Sequence, residues 1–364
     1  MAGSIQGPVR GDMPANLGRV RGSIDTDQAD RASARSSPER HNPVYVGSMD
    51  AASVTRLLDP DIRAALELFP FPPINEETLP IMRPALAAPG PELSGRVVRS
   101  VVNAPGAAGS PDVALHVHRP ADATGALPCL VWMHGGGLVM GVAGMDDARF
   151  DVWCTRHNMM AVSVEHRLAP ETPFPGPVDD CYASVQYVVD HAEELGVDAK
   201  RIGVGGNSAG AGLAAALALM ARDRGGPQIS SQLLIYPMID DRQITVSSSW
   251  DVPIWPASSN TFGWTSYLGD AKGTDGVSPY AAPARATDLS GLPPAIIVVG
   301  GLDGFVDEDI DYARRLNNAG VPVEFHLYPG APHGYDVMVP NSAPAMQLDL
   351  DVGRWLDRHY GTGQ

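Results

Sequence analysis

From about residue 95 onward, short apolar runs alternate with longer segments in which apolar residues recur at helical spacing. No helix separates the first two runs, so we expect those strands to pair antiparallel. Short strands alternating with helices are typical of an α/β protein with a mostly parallel central sheet flanked by helices. The pattern predicts strands at 96–102, 113–117, 129–133, 160–164, 202–205, 232–236, 295–300 and 323–327. It predicts helices at 148–157, 178–194, 208–224, 307–318 and 345–359.

The N-terminal part of the chain has a different pattern. Residues 1–43 are rich in Gly, Ser, Arg and Asp and contain few large apolar side chains. This composition predicts a flexible or loosely docked arm, which could also wrap around the body of the protein or a partner subunit. Residues 44–90 have a helical pattern, with Asp59 as a predicted N-cap before Pro60 and a further helix start near Asn75.

The first candidate for chemistry is the turn between the strand at 202–205 and the helix that follows it. Its sequence is Gly206-Asn207-Ser208-Ala209-Gly210, a G-x-S-x-G pattern. Small residues on either side of Ser208 permit a tight turn that exposes the serine hydroxyl. The same turn aims the amide of Ala209 at the place where a substrate oxyanion would form.

A second glycine-rich segment precedes this turn in the chain. His134-Gly135-Gly136-Gly137 follows the apolar strand at 129–133. Glycines let the backbone approach a substrate carbonyl and direct amide groups toward it. Either motif alone has a plain explanation, since a strand can end in glycines and G-x-S-x-G arises by chance. Together they predict a serine hydrolase.

A serine nucleophile requires a general base, and histidine is the usual one. The histidines after Ser208 are His326, His333 and His359. His326 lies within a predicted strand, and His359 lies on the terminal helix. His333 lies in a loop just after a strand, which makes it the predicted base.

The acid that orients the histidine is expected at the end of the preceding strand. Asp303 comes directly after the strand at 295–300, and Asp307 is the alternative. Because Asp307 opens a predicted helix, where a carboxylate has a structural role, Asp303 is the favoured acid. It would hold His333 in the required tautomer and stabilise the imidazolium.

These motifs resemble those of the hormone-sensitive-lipase-like esterases, bacterial family IV of the α/β-hydrolase superfamily. The order and spacing fit the family from about residue 90 to the C-terminus. The matching stretches are 134–137, 165–171, the turn at 206–210, 278–281, 303–308 and 332–334.

The resemblance implies an α/β-hydrolase fold with a helical cap, and hydrolysis of short- to medium-chain acyl esters without a cofactor. It places the nucleophile on Ser208, the acid on Asp303 and the base on His333. Homodimers are common in the family, so a homodimer is one expectation. The oxyanion donors fall on the amides of Gly135, Gly136, Gly137 and Ala209.

Four positions depart from the family pattern. Asn207 stands where the family has aspartate, and Ala211 where it has a second glycine. Gly304 replaces the proline after the acid, and His166 replaces a tyrosine. None of these changes removes a catalytic group. They bear on fine tuning and subfamily rather than on the reaction class.

The resemblance divides the chain into the N-terminal arm, cap helices at 44–90 and a catalytic domain at 91–364. An insert at about 240–272 follows a strand end where α/β sites open, so we expect it to complete the cap. Its aromatic residues are predicted to line the substrate pocket, with burial in the core as the alternative. They are Trp250, Trp255, Phe262, Trp264 and Tyr267.

Composition narrows the partners. The net charge of −16 disfavours nucleic acid and anionic membranes as partners. The expected partner is a small-molecule ester, which the hydrolase motifs and the family resemblance imply. No apolar run reaches membrane-spanning length and no hydrophobic signal segment is seen at the N-terminus, so a cytoplasmic location is predicted. The three cysteines have no metal-site spacing, and we expect neither a metal nor a cofactor.

Several other polar residues have structural interpretations. We expect Arg167 and Asp180 to form a buried ion pair under the active site. His116 and His118 alternate on one strand at a spacing that two metal ligands could use, but a solvated strand face is favoured. His166 precedes the nucleophile, against the expected order of a catalytic histidine.

Three function classes follow from these motifs. A carboxylesterase is favoured. The same triad could instead serve an amidase, a metabolite deacetylase or an acyltransferase. A non-enzymatic binding protein on this scaffold is disfavoured because Ser208, Asp303 and His333 are all present.

Overall fold

The computed structural model describes Gly3 and residues 49–87 and 92–361. The predicted arm at 1–43 therefore lies outside the described residues, apart from Gly3. The described chain contains three short N-terminal helices followed by an α/β domain.

The α/β domain is built on a sheet of eight strands in the order β1-β2-β4-β3-β5-β6-β7-β8. β1 and β2 pair antiparallel, as do β2 and β4, and all other neighbours are parallel. Every predicted strand and the antiparallel first pair are confirmed. The strands are β1 Val97–Ala104, β2 Val113–Pro120, β3 Leu127–Met133, β4 Met160–Val164, β5 Val197–Asn207, β6 Gln232–Ile235, β7 Ala295–Gly300 and β8 Val323–Tyr328.

Helices cover both faces of this sheet, as the alternating pattern predicts. Because successive side chains of a strand point to opposite faces, Val131 and Met133 of β3 enter one core while Leu130 and Trp132 enter the other. The first core packs against α5, α7 and α9, and the second against α4 and α11. The helices are α1 Ala51–Leu57, α2 Pro60–Leu68, α3 Leu79–Leu86, α4 Asp147–His157, α5 Gly176–Asp190, α6 Ala192–Leu195, α7 Ala209–Arg224, α8 Ala257–Leu268, α9 Val306–Asn318, α10 Tyr335–Met338 and α11 Ala343–Tyr360.

The N-terminal helices confirm one predicted start and correct another. Asp59 caps α2, accepting hydrogen bonds from the amides of Asp61 and Ile62. The predicted helix start at Asn75 is wrong. The Asn75 side chain instead accepts the amide of Thr78 in a turn, and α3 begins only at Leu79. An Asx turn and a helix cap use the same side-chain acceptor, which is why the sequence favoured the earlier start.

Two polar pairs test the structural roles expected for Arg167, Asp180 and His118. Arg167 and Asp180 form the expected ion pair, with Nη2 and Oδ1 2.7 Å apart and the Asp180 side chain buried. The solvated face predicted for His118 is wrong, because its ring is fully buried and its Nε2 lies 2.9 Å from Asp147. α4 covers this part of β2, and Asp147 satisfies the imidazole within the core.

The described residues show the state of the cysteines and whether they include a metal-ligand cluster or a membrane-spanning helix. All three cysteine side chains are buried, and burial raises the pKa of the Cys154 thiol to about 12. Within residues 49–87 and 92–361, no group of three potential ligands could hold a metal ion. In the same ranges, no helix has both the length and the apolar character needed to cross a bilayer.

Candidate active site

Ser208 occupies a strained turn between β5 and α7. Its backbone has φ 56° and ψ −122°, a conformation that L-residues rarely adopt. Its amide donates to the carbonyl of Ile235, 2.8 Å away, which holds the turn against the neighbouring strand. A Cβ at Gly210 would lie 2.0 Å from the carbonyl oxygen of Met133, so only glycine fits there. The close approach of α7 to β3 fixes the serine at the carboxyl edge of the sheet.

Asp303, His333 and Ser208 form one hydrogen-bonded chain. Nδ1 of His333 lies 2.7 Å from Oδ2 of Asp303, and its Nε2 lies 2.8 Å from Oγ of Ser208. The second carboxylate oxygen of Asp303 accepts the amide of Phe305 at 3.0 Å. All three side chains are at least nine-tenths buried. With the Nδ1 proton donated to the carboxylate, Nε2 is free to accept the serine proton.

The alternative acid and bases lie elsewhere. Oδ2 of Asp307 accepts the amide of Ser247 at 2.9 Å, a structural contact at the start of α9. His326 on β8 lies 2.8 Å from Glu324, and His359 remains on α11. None of these groups is hydrogen-bonded to Ser208.

The glycine loop and the start of α7 present main-chain donors beside the serine. Gly136 and Gly137 both have positive φ, at 119° and 62°. The carbonyl of Gly136 accepts the amides of Val139 and Met140, which folds the loop into a compact turn. In the described part of the chain, no backbone carbonyl accepts the amide of Gly136, Gly137 or Ala209. These amides are therefore available to a substrate oxygen.

A cavity of about 110 Å³ opens onto Ser208. Most of the surface that lines this cavity is apolar. The predicted site residues among its lining are Ser208, His333, Gly135, Gly136, Gly137 and Trp255. The sequence did not predict Phe71, Leu86, Met140, Met145, Asn207, Tyr236, Ile254, Gly334, Val337 or Met338 as lining residues.

Of the five predicted aromatic residues, only Trp255 lines this cavity. Its ring lies against Gly137, where a Cβ would fall 2.1 Å from Cη2, and its centroid is 6.3 Å from that of His333. The other four are corrected to packing roles, the alternative left open by the sequence. α8 turns its apolar face toward the body of the protein, so Trp264 and Tyr267 are core residues and Phe262 packs against the same core, while Trp250 packs against the opposite one.

Some of the missed lining residues carried a signal in their position. Tyr236 directly follows β6 at the carboxyl edge of the sheet, where α/β sites form. Ile254 has φ 70°, which is strained for a β-branched residue, but a backbone angle is not visible in a sequence. Phe71 lies in the segment between α2 and α3, and no local pattern connects it with Ser208.

A buried polar chain runs from this cavity into the body of the protein. The Tyr236 ring packs edge-on against His333, with centroids 4.7 Å apart, and its hydroxyl donates to Asp336 at 2.6 Å. Arg149 donates to the other oxygen of Asp336 at 2.8 Å and lies 3.4 Å from Asp146. Burial raises the pKa of Tyr236 and of Asp146. This polar chain holds Tyr236 in place behind the imidazole of His333.

A stacked pair of imidazoles lies under the glycine loop. The rings of His134 and His166 are 4.1 Å apart and nearly parallel, at an angle of 12°. Both are buried, and burial lowers the pKa of each. The departure from tyrosine at position 166 therefore places a second buried imidazole beneath the loop and leaves the hydrogen bonds among Ser208, His333 and Asp303 unchanged.

Comparison with known proteins agrees with this geometry. A family model described as an alpha/beta hydrolase fold matches residues 130–337. Esterase LipI of Mycobacterium tuberculosis is 39% identical over 214 residues, which are 57% of this chain and 65% of LipI. Carboxylesterase NlhH of the same species is 34% identical over 297 residues, 79% of this chain and 92% of NlhH. The match spans slightly less than two thirds of LipI and of the carboxylic ester hydrolase LipN, at 65% and 66%.

Solved structures give the same result. The structure of a bacterial heroin esterase is 39% identical in sequence and superposes with a TM-score of 0.80, covering 85% of this chain and 99% of that one. Esterase LipW from Mycobacterium marinum is 32% identical with a TM-score of 0.75, covering 86% and 98%. With the sheet order, the strained turn at Ser208 and the glycine loop, these matches establish that the chain belongs to the hormone-sensitive-lipase-like family of esterases within the α/β-hydrolase superfamily.

Proposed function

We propose that this protein is a serine carboxylesterase that hydrolyses short- to medium-chain acyl esters through an acyl-enzyme intermediate. The observation that carries the proposal is the continuous hydrogen-bonded chain from Asp303 through His333 to Ser208. The similarity to LipI, NlhH and the heroin esterase supports the same reaction class.

In the first half of the reaction, the hydroxyl of Ser208 attacks the ester carbonyl while Nε2 of His333 accepts its proton. Asp303 holds the imidazole by Nδ1 and stabilises the positive charge that forms there. The imidazolium then donates the proton to the leaving alcohol, and the acyl group remains on Ser208. In the second half, water is activated by His333, attacks the acyl-enzyme and releases the acid.

The negative charge of the tetrahedral intermediate needs donors that are already in place. We infer that the amides of Gly136, Gly137 and Ala209 supply them, with Gly135 shaping the loop. Removal of one such donor costs about 3 kcal/mol of transition-state stabilisation.

The small catalytic cavity, about 110 Å³, supports a preference for short acyl groups. Every proton and charge in the two halves is handled by groups of the chain itself.

The experiment that tests the proposal is hydrolysis of p-nitrophenyl esters from acetate to palmitate by the wild type and by Ser208→Ala. We expect activity to peak at short chains and to disappear in the variant. Equal activity in both proteins would refute Ser208 as the nucleophile. Hydrolysis of an anilide in preference to the esters would favour an amidase on the same triad.

The assignment of the acid has its own matched pair. Asp303→Asn should lower kcat by about four orders of magnitude, because the amide favours the wrong histidine tautomer. Asp307→Asn changes a carboxylate of the same kind that contacts Ser247 instead, so it should retain most of the activity. The reverse result would move the role of the acid to Asp307.

The remaining expectations about partners and location belong to the same proposal. A small-molecule ester is the proposed partner, and the net charge of −16 supports the expectation of no nucleic-acid or membrane partner. A homodimer and a cytoplasmic location stay predictions. Light scattering on the purified protein tests the first, and fractionation of cells tests the second.

A further inference from the structure

A second cavity lies beside the catalytic one and is much larger. Its volume is about 660 Å³, compared with about 110 Å³ at Ser208. It is lined by α4, α10 and α11 and by the segments that flank them. The two cavities share the side chains of Met145 and Val337. The catalytic cavity therefore adjoins the larger one at these two residues.

The position of these shared residues relates the larger cavity to the leaving group. His333 protonates the alcohol as it leaves, so the alcohol moiety must extend past the imidazole. α10 begins directly after Gly334, and Val337 lies on it only four residues beyond His333. Asp336 lines the larger cavity and also accepts the hydroxyl of Tyr236, whose ring packs on His333. The segment after the base thus lies where the two cavities adjoin.

The lining of the larger cavity is predominantly apolar. Trp153 and Leu348 supply buried surface, and Val152 and Met346 supply surface that is about half exposed, at 46% and 52%. Cavities of several hundred Å³ with apolar walls and a few polar groups are typical of small-molecule sites. An aromatic or branched apolar group matches this lining better than a polar one.

The charged groups of the cavity have a net negative sign. Asp146, Asp336 and Asp349 line it against one cation, Arg149, which is already paired with the first two. Asp349 lies 3.7 Å from Arg156, and both of these side chains are about half exposed. No cation among the described lining residues is left without a carboxylate partner. A carboxylate on the ligand would meet repulsion here, whereas a neutral or cationic group would not.

We propose that this α4–α11 cavity binds the alcohol moiety of the ester substrate, and that the preferred alcohol has a bulky aromatic or branched body that is neutral or cationic. The proposal rests on the proposed esterase function. It divides the substrate between two spaces, with the small acyl group at Ser208 and the larger alcohol group between α4 and α11.

The first test keeps the acyl group constant and enlarges the alcohol: ethyl acetate, benzyl acetate and 4-phenylbenzyl acetate, followed by pH-stat. We expect kcat/KM to rise by about tenfold or more along this series, as apolar surface enters the cavity. A second comparison uses two alcohols of the same shape, 4-nitrobenzyl and 4-carboxybenzyl acetate, at low ionic strength. The anionic ester should be poorer by about tenfold. A flat series, or equal rates for the nitro and carboxy esters, would overturn the proposal.

Variants that fill the cavity provide the structural control. Val152→Trp places a large side chain in the cavity from α4, and Met346→Trp does so from α11. Each should reduce the ratio of kcat/KM for 4-phenylbenzyl acetate to that for ethyl acetate by about tenfold. Val98→Trp is the matched control, because Val98 is an exposed valine on β1 that lines neither cavity. It should leave the ratio unchanged. An unchanged ratio in both filled variants, each with the wild-type fold by circular dichroism, would place the alcohol elsewhere.

A binding measurement separates this proposal from the proposed function. Calorimetric titration of the wild type with 4-phenylbenzyl alcohol does not depend on turnover. Binding that is about tenfold weaker in Val152→Trp but unchanged in Val98→Trp would support the site even if no ester were hydrolysed. Equal affinity in all three proteins would overturn it, even if Ser208 were shown to be the nucleophile.

Discussion

Arg83 connects the N-terminal helices to the glycine loop, and its replacement is expected to affect both stability and activity. From α3, its Nε donates to the carbonyl of Val139 at 2.7 Å, and Nη2 donates to the carbonyl of Ala169 at 2.8 Å. The guanidinium also forms a two-pronged ion pair with Glu171, at 2.7 and 2.8 Å. Val139 lies two residues after Gly137 and donates its amide to Gly136. One side chain therefore holds the glycine loop from the outside.

The magnitude follows from the two kinds of contact. A hydrogen bond from a charged donor contributes about 1.5–3 kcal/mol when well formed. The pair with Glu171 contributes at most about 1 kcal/mol, because the Glu171 side chain is 64% exposed and solvent screens the interaction. Since Arg83 is itself partly exposed, we expect Arg83→Met to lower the free energy of unfolding by about 3 kcal/mol. Glu171→Gln removes only the ion pair and should lower it by about 1 kcal/mol or less.

Urea denaturation followed by fluorescence measures the stability difference, and limited proteolysis detects local release of α3. Because Leu86 on α3 lines the catalytic cavity, KM should rise in Arg83→Met, and kcat should fall as the loop loses its outer support. Equal losses in Arg83→Met and Glu171→Gln would refute the reasoning, since the main-chain hydrogen bonds would then contribute nothing. So would an Arg83→Met protein with wild-type stability, protease resistance and KM.

Three further predictions concern strain, pH and thiol reactivity. Ser208→Gly should raise the free energy of unfolding by about 1 kcal/mol relative to Ser208→Ala, because both are inactive but only glycine relieves the positive φ. The hydrogen bond from Arg83 lowers the pKa of Glu171 from about 4.5 to about 2. The stability difference between the wild type and Glu171→Gln should therefore be present above pH 4.5 and disappear as the pH falls toward 2 in urea titrations. Ellman's reagent should react only on unfolding, because burial encloses all three thiols, Cys129, Cys154 and Cys181; fast reaction in native buffer would contradict this.

The fold was predictable because its pattern is local. β3, β4 and β7 are buried along their whole length, and a strand covered on both faces appears in the sequence as a nearly continuous apolar run, interrupted in β4 by Ser163. The start of a helix was harder to predict where the same side chain can form either a helix cap or a turn, as Asn75 does. His118 was mispredicted because alternation along β2 indicates which residues share a face but not what covers that face. The covering helix, α4, begins nearly thirty residues later in the chain.

In the candidate site, too, the residues that belong to local motifs were predictable and those that come from distant segments were not. The residues the structure brings together around Ser208 by hydrogen bonding, Asp303 and His333, occur in motifs with fixed positions relative to strand ends. The residues of the cavity wall do not occur in such motifs. Phe71 and Ile254 reach it from segments far apart in the chain, and no pairing rule connects those segments. The aromatic cluster at 240–272 was visible as composition, but which of its rings face the cavity depends on how α8 and the segment before it pack against the core.

The close contact between Gly210 and the carbonyl of Met133 has a consequence for how this enzyme scaffold can change. The groups that would stabilise the developing charge are main-chain amides, and their spacing is fixed where two backbones touch. Side chains such as Phe71 and Ile254 can therefore be replaced with little effect on those amides, whereas Trp255 packs directly on Gly137. A library restricted to the cavity walls would vary what the site admits while the reacting geometry stays constant. In this chain, the backbone sets the geometry of the inferred oxyanion site. The side chains of the cavity wall set which groups fit beside it.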